Sequence, residues 1–215
     1  MKKIIASGLL LGALLAGCAH TPPPAKDLSK FMAANPSSIL VVPVINESVE
    51  VTASDYFLST VSIPLAERGY YVFPVNLVKR ILEDEGLSDA SLVHFAPAGR
   101  LCNLFGSDAV LYVIIKEWTA KYMVLSTTVH VTLNYAIKDC KTGDTMWEHQ
   151  QKMVYTPQSA NTGHPLGNLI AMAVTAAMTK AAPNYMPLAR QANAFTFYNK
   201  GVGLPPGPYA LPEGN

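Results

Sequence analysis

Apolar and polar positions follow two different periods along the chain. Residues 39–45 (Ile-Leu-Val-Val-Pro-Val-Ile), 70–73 and 109–115 are nearly unbroken apolar runs rich in β-branched and aromatic residues. That pattern fits strands covered on both faces, as in a parallel sheet. Between the first two runs, Leu58, Val61 and Leu65 recur at helical spacing. They predict a helix over residues 55–68, with Ser54 or Asp55 as cap, Gly69 as stop and a kink at Pro64. Strand, helix and strand joined by short links make a βαβ unit with a right-handed crossover. A second helix, from Asn76 to a stop at Gly86, places Leu77, Val78, Ile81 and Leu82 on one face, and a third short helix covers residues 97–105.

Beyond residue 127 the period becomes two. Val129, Val131, Leu133, Tyr135 and Ile137 alternate with polar or small neighbours, the mark of a strand with one buried and one wet face. Lys141-Thr142-Gly143 reads as a three-residue hairpin loop. With Cys140 opposite Asp144, Ile137 faces Trp147 and Val131 faces Met153, so large side chains are buried in pairs. The expected fold is a single α/β domain. Three mainly parallel strands and an antiparallel hairpin form a mixed five-stranded sheet in the order 2-1-3-4-5, with helices packed on it. Residues 166–182, apolar all round, predict a helix buried in the domain or against a second protomer, and residues 185–198 a last one. The final strand, 145–155, is an expected edge whose wet face carries Glu148, Gln150 and Lys152. This edge and the Ala- and Met-rich helix are the candidate surfaces for a homodimer.

The two ends differ from this body. Lys2 and Lys3, an apolar stretch, and Leu15-Ala16-Gly17-Cys18 have the layout of a signal peptide over residues 1–17 that ends in a lipobox. The uncharged stretch 4–17 is shorter than the roughly 20 residues a membrane span needs. Cys18 is therefore the expected lipidation site, with covalent lipid in place of any cofactor and acyl chains as the membrane anchor. Residues 18–36, with Pro22-Pro23-Pro24, read as a tether, residues 37–200 as the domain, and 201–215, with four Gly and four Pro, as an extended or disordered tail. Ala19, where an Asp would signal inner-membrane retention, fits outer-membrane sorting.

Composition narrows the chemistry. The chain has 16 basic and 15 acidic residues. Loss of Lys2 and Lys3 makes it close to neutral, which argues against a nucleic-acid partner. Half of it is hydrophobic, too much for a disordered chain. No nucleophile elbow, phosphate loop or His-Glu-x-x-His motif occurs. His130 and His149 lie on neighbouring strands, but the register points them to opposite faces, so no metal site is expected. Glu83-Asp84-Glu85 reads as a solvated helix end. Cys102 and Cys140 are either a disulfide pair in an oxidising compartment or two small buried hydrophobes.

Several segments together resemble one family. They are the lipobox, residues 39–48, Leu65-Ala66-Glu67-Arg68-Gly69-Tyr70-Tyr71-Val72-Phe73-Pro74, Gly106-Ser107-Asp108-Ala109-Val110-Leu111-Tyr112, and Lys141-Thr142-Gly143 followed by Trp147. In order and spacing, over residues 18–198, they resemble a family of bacterial lipoproteins of unknown function typified by a meningococcal surface-antigen candidate. The resemblance implies a fold similar to the amino-terminal domain of the Tol–Pal translocation protein and to the curli secretion lipoprotein. It implies no catalytic residues. The expected function is non-enzymatic: a lipid-anchored outer-membrane protein, facing the periplasm, that serves envelope transport or assembly through contacts with other envelope proteins. The alternative is a periplasmic small-ligand binder or enzyme.

Overall fold

The computed structural model describes residues 26–123, 126–155 and 185–211. The signal segment, Cys18 and the expected helix over 166–182 lie outside the described residues. In chain order the elements are α1 (Ser29–Ala34), β1 (Ser38–Val41), β2 (Ile45–Asn46), α2 (Ala53–Glu67), β3 (Tyr71–Val72), α3 (Val75–Asp84), α4 (Ala90–Phe95), α5 (Ala98–Phe105), β4 (Ala109–Met123), β5 (Ser126–Asp139), β6 (Thr145–Tyr155) and α6 (Met186–Tyr198).

One mixed sheet runs in the order β3-β1-β4-β5-β6, with β2 also on β4. β1 pairs in parallel with β3 and β4, and β4–β5–β6 is an antiparallel ribbon. This is the expected order, with six strands instead of five. The extra strand comes from Pro43, which has no N–H to give to the ladder. β1 stops before it and β2 resumes after it, both lying along β4. The Pro43 carbonyl left over at the break is bonded by His94 Nε2 at 2.9 Å.

The hairpin register agrees with the sequence reading over most of its length: Ile137 faces Trp147 and Val131 faces Met153. A shift between Ile137 and Lys138 then pairs Lys138 with Thr145. Asp139, not Cys140, therefore closes the loop opposite Asp144, its N–H donating to the Asp144 carbonyl at 2.9 Å. The cause lies in the turn. Asp139 Oδ1 accepts from the Lys141 and Thr142 N–H groups at 2.5 and 2.8 Å, and Gly143 takes φ 76°. An aspartate that folds its own turn fixes where the ladder ends.

The sheet separates two cores. The larger lies under α2 and α6 and gathers Phe57, Val61 and Leu65 from α2, Leu188, Ala192 and Phe197 from α6, and Leu111, Val131, Tyr135 and Trp147 from the ribbon. At its centre, Tyr135 Oη donates to Asn193 Oδ1 at 3.1 Å, and Asn193 Nδ2 donates to Thr60 Oγ1 at 3.0 Å. Three polar side chains thereby satisfy one another where water does not reach. The smaller core, on the other face, places Val78 and Leu82 of α3, Val93 of α4 and Leu101 of α5 on Leu40 and Val110.

Both ends of the domain depart from the expected boundaries. The tether does not run to residue 36, because α1 starts at Ser29. Its Phe31 is buried edge-on to Tyr70, with 6.1 Å between ring centroids. The tail is not free over 201–211. Leu204 is 1% exposed, Gly207 N–H donates to the Arg68 carbonyl at 2.6 Å, and Tyr70 Oη donates to the Pro205 carbonyl at 2.8 Å. Glycine makes this docking possible: a Cβ on Gly207 would overlap the Gly69 carbonyl, and one on Gly203 that of Phe197.

Candidate interaction surface

Side chains alternate across a strand, so each ribbon strand carries two sets. One set faces α2 and α6 and is buried. The opposite set includes Tyr112 and Ile114 of β4, Asn134 and Ala136 of β5, and Glu148 and Gln150 of β6, matched in the rows Tyr112–Ala136–Glu148 and Ile114–Asn134–Gln150. Helices α3, α4 and α5 cover this second face only over β1 and the start of β4. Past them the face carries half-buried Ile114, Asn134 and Ala136 and exposed Glu148, Gln150 and Lys152.

A groove of about 490 Å³ opens over these rows, bordered by Lys26, Tyr112, Ile114, Asn134, Glu148 and Gln150. Gln150 Nε2 donates to Asn134 Oδ1 at 2.9 Å across the two strands. Tyr112 is 5% exposed, and its hydroxyl is buried without a hydrogen-bond partner. Burial pushes that phenol up to about 12. The Lys138 ammonium lies 5.1 Å from the centroid of its ring, and the His94 ring meets it edge-on at 5.1 Å. Burial also holds His94 below the ordinary histidine value, ahead of the opposing bond to Pro43.

Among the described residues, β6 ends the sheet. The Glu148 carbonyl points outward from this edge and accepts from Lys26 Nζ, which also lies 4.8 Å over the Trp147 ring. Four residues further along the strand, the Lys152 carbonyl accepts from Gln151 Nε2 at 3.2 Å. Side chains thus occupy edge acceptors that another strand would need, as native edges often arrange. Desolvation in this packing lowers the Lys26 pKa, more than the nearby Glu148 raises it.

Cys102 of α5 and Cys140, just after β5, are joined by a disulfide with Cα atoms 5.7 Å apart. It pins the smaller helix layer to the base of the ribbon. His94, eight residues before Cys102 in sequence, is turned toward Pro43 and Tyr112. His130 pairs with Val154 and His149 with Tyr135, so the two imidazoles lie on opposite faces. No group of three His, Cys, Asp or Glu side chains among the described residues is placed to hold a metal. Glu83, Asp84 and Glu85 are exposed, with Arg80 Nε 3.5 Å from Asp84.

Residues 26–209 match the family described as "Putative lipoprotein GNA1162-like". The chain belongs to this family. It is 33% identical over 174 residues to "Putative lipoprotein NMB1124/NMB1162" of Neisseria meningitidis serogroup B, which spans 81% of this chain and 80% of the relative. The crystal structure of lipoprotein GNA1162 from Neisseria meningitidis, 32% identical, aligns with a TM-score of 0.56 over 66% of this chain and 96% of that one. The LpoB C-terminal domain from Escherichia coli, at 17% identity and a TM-score of 0.40 over 59% of this chain and 91% of its own, is too distant to bear on this chain. The GNA1162-like match runs on to Tyr209. The docked tail is therefore part of the family's domain, which extends past the Tyr198 at which the sequence resemblance ends.

Proposed function

We propose that this member of the lipoprotein family is anchored in the outer membrane through diacylated Cys18, faces the periplasm, and serves envelope transport or assembly without catalysing a reaction. In this reading it works by holding other proteins on the β4–β5–β6 ribbon. The observation that carries the proposal is the difference between the ribbon's faces. One is closed by α2 and α6, while the other presents Asn134, Glu148, Gln150 and Lys152 to solvent. A mixed polar face on a rigid scaffold suits contacts that form and dissolve. The Leu15-Ala16-Gly17-Cys18 lipobox supports the anchor, and the absence of Asp at position 19 supports the outer membrane.

Two measurements test this. Labelling by radioactive palmitate should mark the wild type in the outer-membrane fraction and fail for Cys18→Ser; equal labelling of that variant removes the anchor. A photo-crosslinking residue at Lys152, on the open face, should form a discrete adduct in intact cells, while one at Ser59, an exposed site on α2, should not. Adducts at neither site or equally at both would remove the assigned surface.

A further inference from the structure

We propose that the groove over Tyr112 binds the main chain of a short peptide through hydrogen bonds to its amide groups. This deepens the contact reading above and rests on it only for where the peptide comes from. Three features of the groove support the proposal. The first is Tyr112. Its hydroxyl can donate and accept, yet it is buried without a partner. A buried polar group left unpaired destabilises the fold. Among the described residues Trp118 Nε1 shares this state inside the larger core, whereas Tyr112 borders the groove, where a ligand amide can pair with it.

The second is the Asn134–Gln150 pair. Its internal bond uses Gln150 Nε2 and Asn134 Oδ1. The amide nitrogen of Asn134 and the amide oxygen of Gln150 remain, one donor group beside one acceptor. A secondary amide offers the complementary C=O and N–H. The third is balance. Lys26 and Glu148 border the groove with opposite charges, and Ile114 and Ala136 supply apolar ground between the polar groups. A neutral, amide-bearing chain with small side chains suits that lining better than an anion or a cation does. The groove's volume of about 490 Å³ is that of a small-ligand site. The flexible side chain lying over the phenol ring is Lys138, and its movement would uncover the ring.

The experiment uses the lipidated chain in detergent with N-acetyl-tri-alanine amide as probe. Titration should shift the amide resonances of Ile114, Asn134, Ala136 and Gln150 in a saturable way. Tyr112→Phe should weaken binding about 3- to 10-fold, the effect of one hydrogen bond. The same variant should melt about 2–8 °C higher, because it removes an unpaired buried hydroxyl. Better folding with poorer binding is the outcome a merely structural tyrosine does not give. The proposal is overturned if the peptide shifts none of these resonances, if Tyr112→Phe binds equally well, or if it melts lower. An N-acetylglucosamine tetramer shifting the same residues in place of the peptide also overturns the assigned class. Palmitate labelling and the Lys152 adduct do not depend on the Tyr112 hydroxyl, so they can persist when this inference fails.

Discussion

The two faces of the ribbon are built from the same strands and have opposite fates. On the helix side, Trp118, Val131, Leu133, Tyr135, Ile137 and Trp147 are all 2% exposed or less. There Tyr135 meets Phe57, Phe197 and Trp147 at centroid separations of 5.8, 5.5 and 6.3 Å. On the other side, the neighbouring residues Thr132, Asn134 and Ala136 are only half-buried. Buried hydroxyls show the same contrast. Tyr135 is paired through Asn193, whereas Tyr112 is not paired at all. The closed layer pairs its buried hydroxyls but leaves the Trp118 indole N–H unpaired, so what sets Tyr112 apart is that its unpaired group borders a groove.

The largest effect that sharpens this contrast should come from truncating the closed face. Trp147→Ala removes a ring stacked on Phe197 at 5.9 Å and the Nε1 bond to the Val202 carbonyl. It should cost about 3–5 kcal/mol in urea unfolding, against about 0.5 kcal/mol or less for Thr132→Ala on the open face. Equal costs would mean that the faces are not energetically distinct.

Next comes the disulfide. Reduction, or Cys102→Ser with Cys140→Ser, frees a loop of sequence separation 38 and should cost about 2–4 kcal/mol in the same assay. The loss should appear as faster hydrogen exchange in α5 before the ribbon core opens.

A smaller effect is expected inside the closed face. Asn193→Ala leaves Tyr135 Oη and Thr60 Oγ1 without their shared partner and should cost about 1–3 kcal/mol, while Tyr135→Phe should recover part of that in the double variant. Independent, additive losses would show that the three do not act as one network.

The smallest effect concerns pH. Burial lowers the pKa values of both His94 and His149. The unfolded chain therefore takes up protons at a higher pH than the folded one does. Stability is full above the ordinary histidine value near 6.5 and falls as pH drops through that value toward the lowered folded pKa values. His94→Gln should flatten this slope between pH 7 and 5, and a slope unchanged in both His94→Gln and His149→Gln would contradict it.

The strand order, the hairpin register and the terminal helix could be read from the sequence because each rests on local pattern. Val129 to Ile137 alternate, and Pro187 begins a helix where proline is tolerated. The split of the first strand at Pro43 is half legible: a proline within a strand run cannot give an N–H to the ladder, but its position does not show that both pieces stay on β4. Helices α1 and α4 are not legible in the pattern of the sequence. Each has only six residues and is held by one buried anchor, Phe31 or Val93, so periodicity had too little length to show. Asp89, which caps α4 by accepting from Ser91 N–H at 2.7 Å, was the available signal.

Little of the groove was legible. Glu148 and Gln150 follow from alternation, but Tyr112 sits inside a run that reads simply as buried strand, and Lys26 within what reads as tether. Its unpaired hydroxyl is a property of what surrounds it, namely His94 from α4 and Lys138 from β5.

By itself the sequence determined which faces of which segments are apolar, and hence the α/β class, the sheet order and the turn at Gly143, because periodicity and turn chemistry act within a few residues. Only the tertiary structure decided how far each face is covered, where the two ends dock, that Cys102 meets Cys140, and that Tyr112 goes unpaired while Tyr135 does not. Those outcomes depend on contacts between residues tens of positions apart. The chain encodes such contacts through the fit of whole elements, and no short stretch of it carries them.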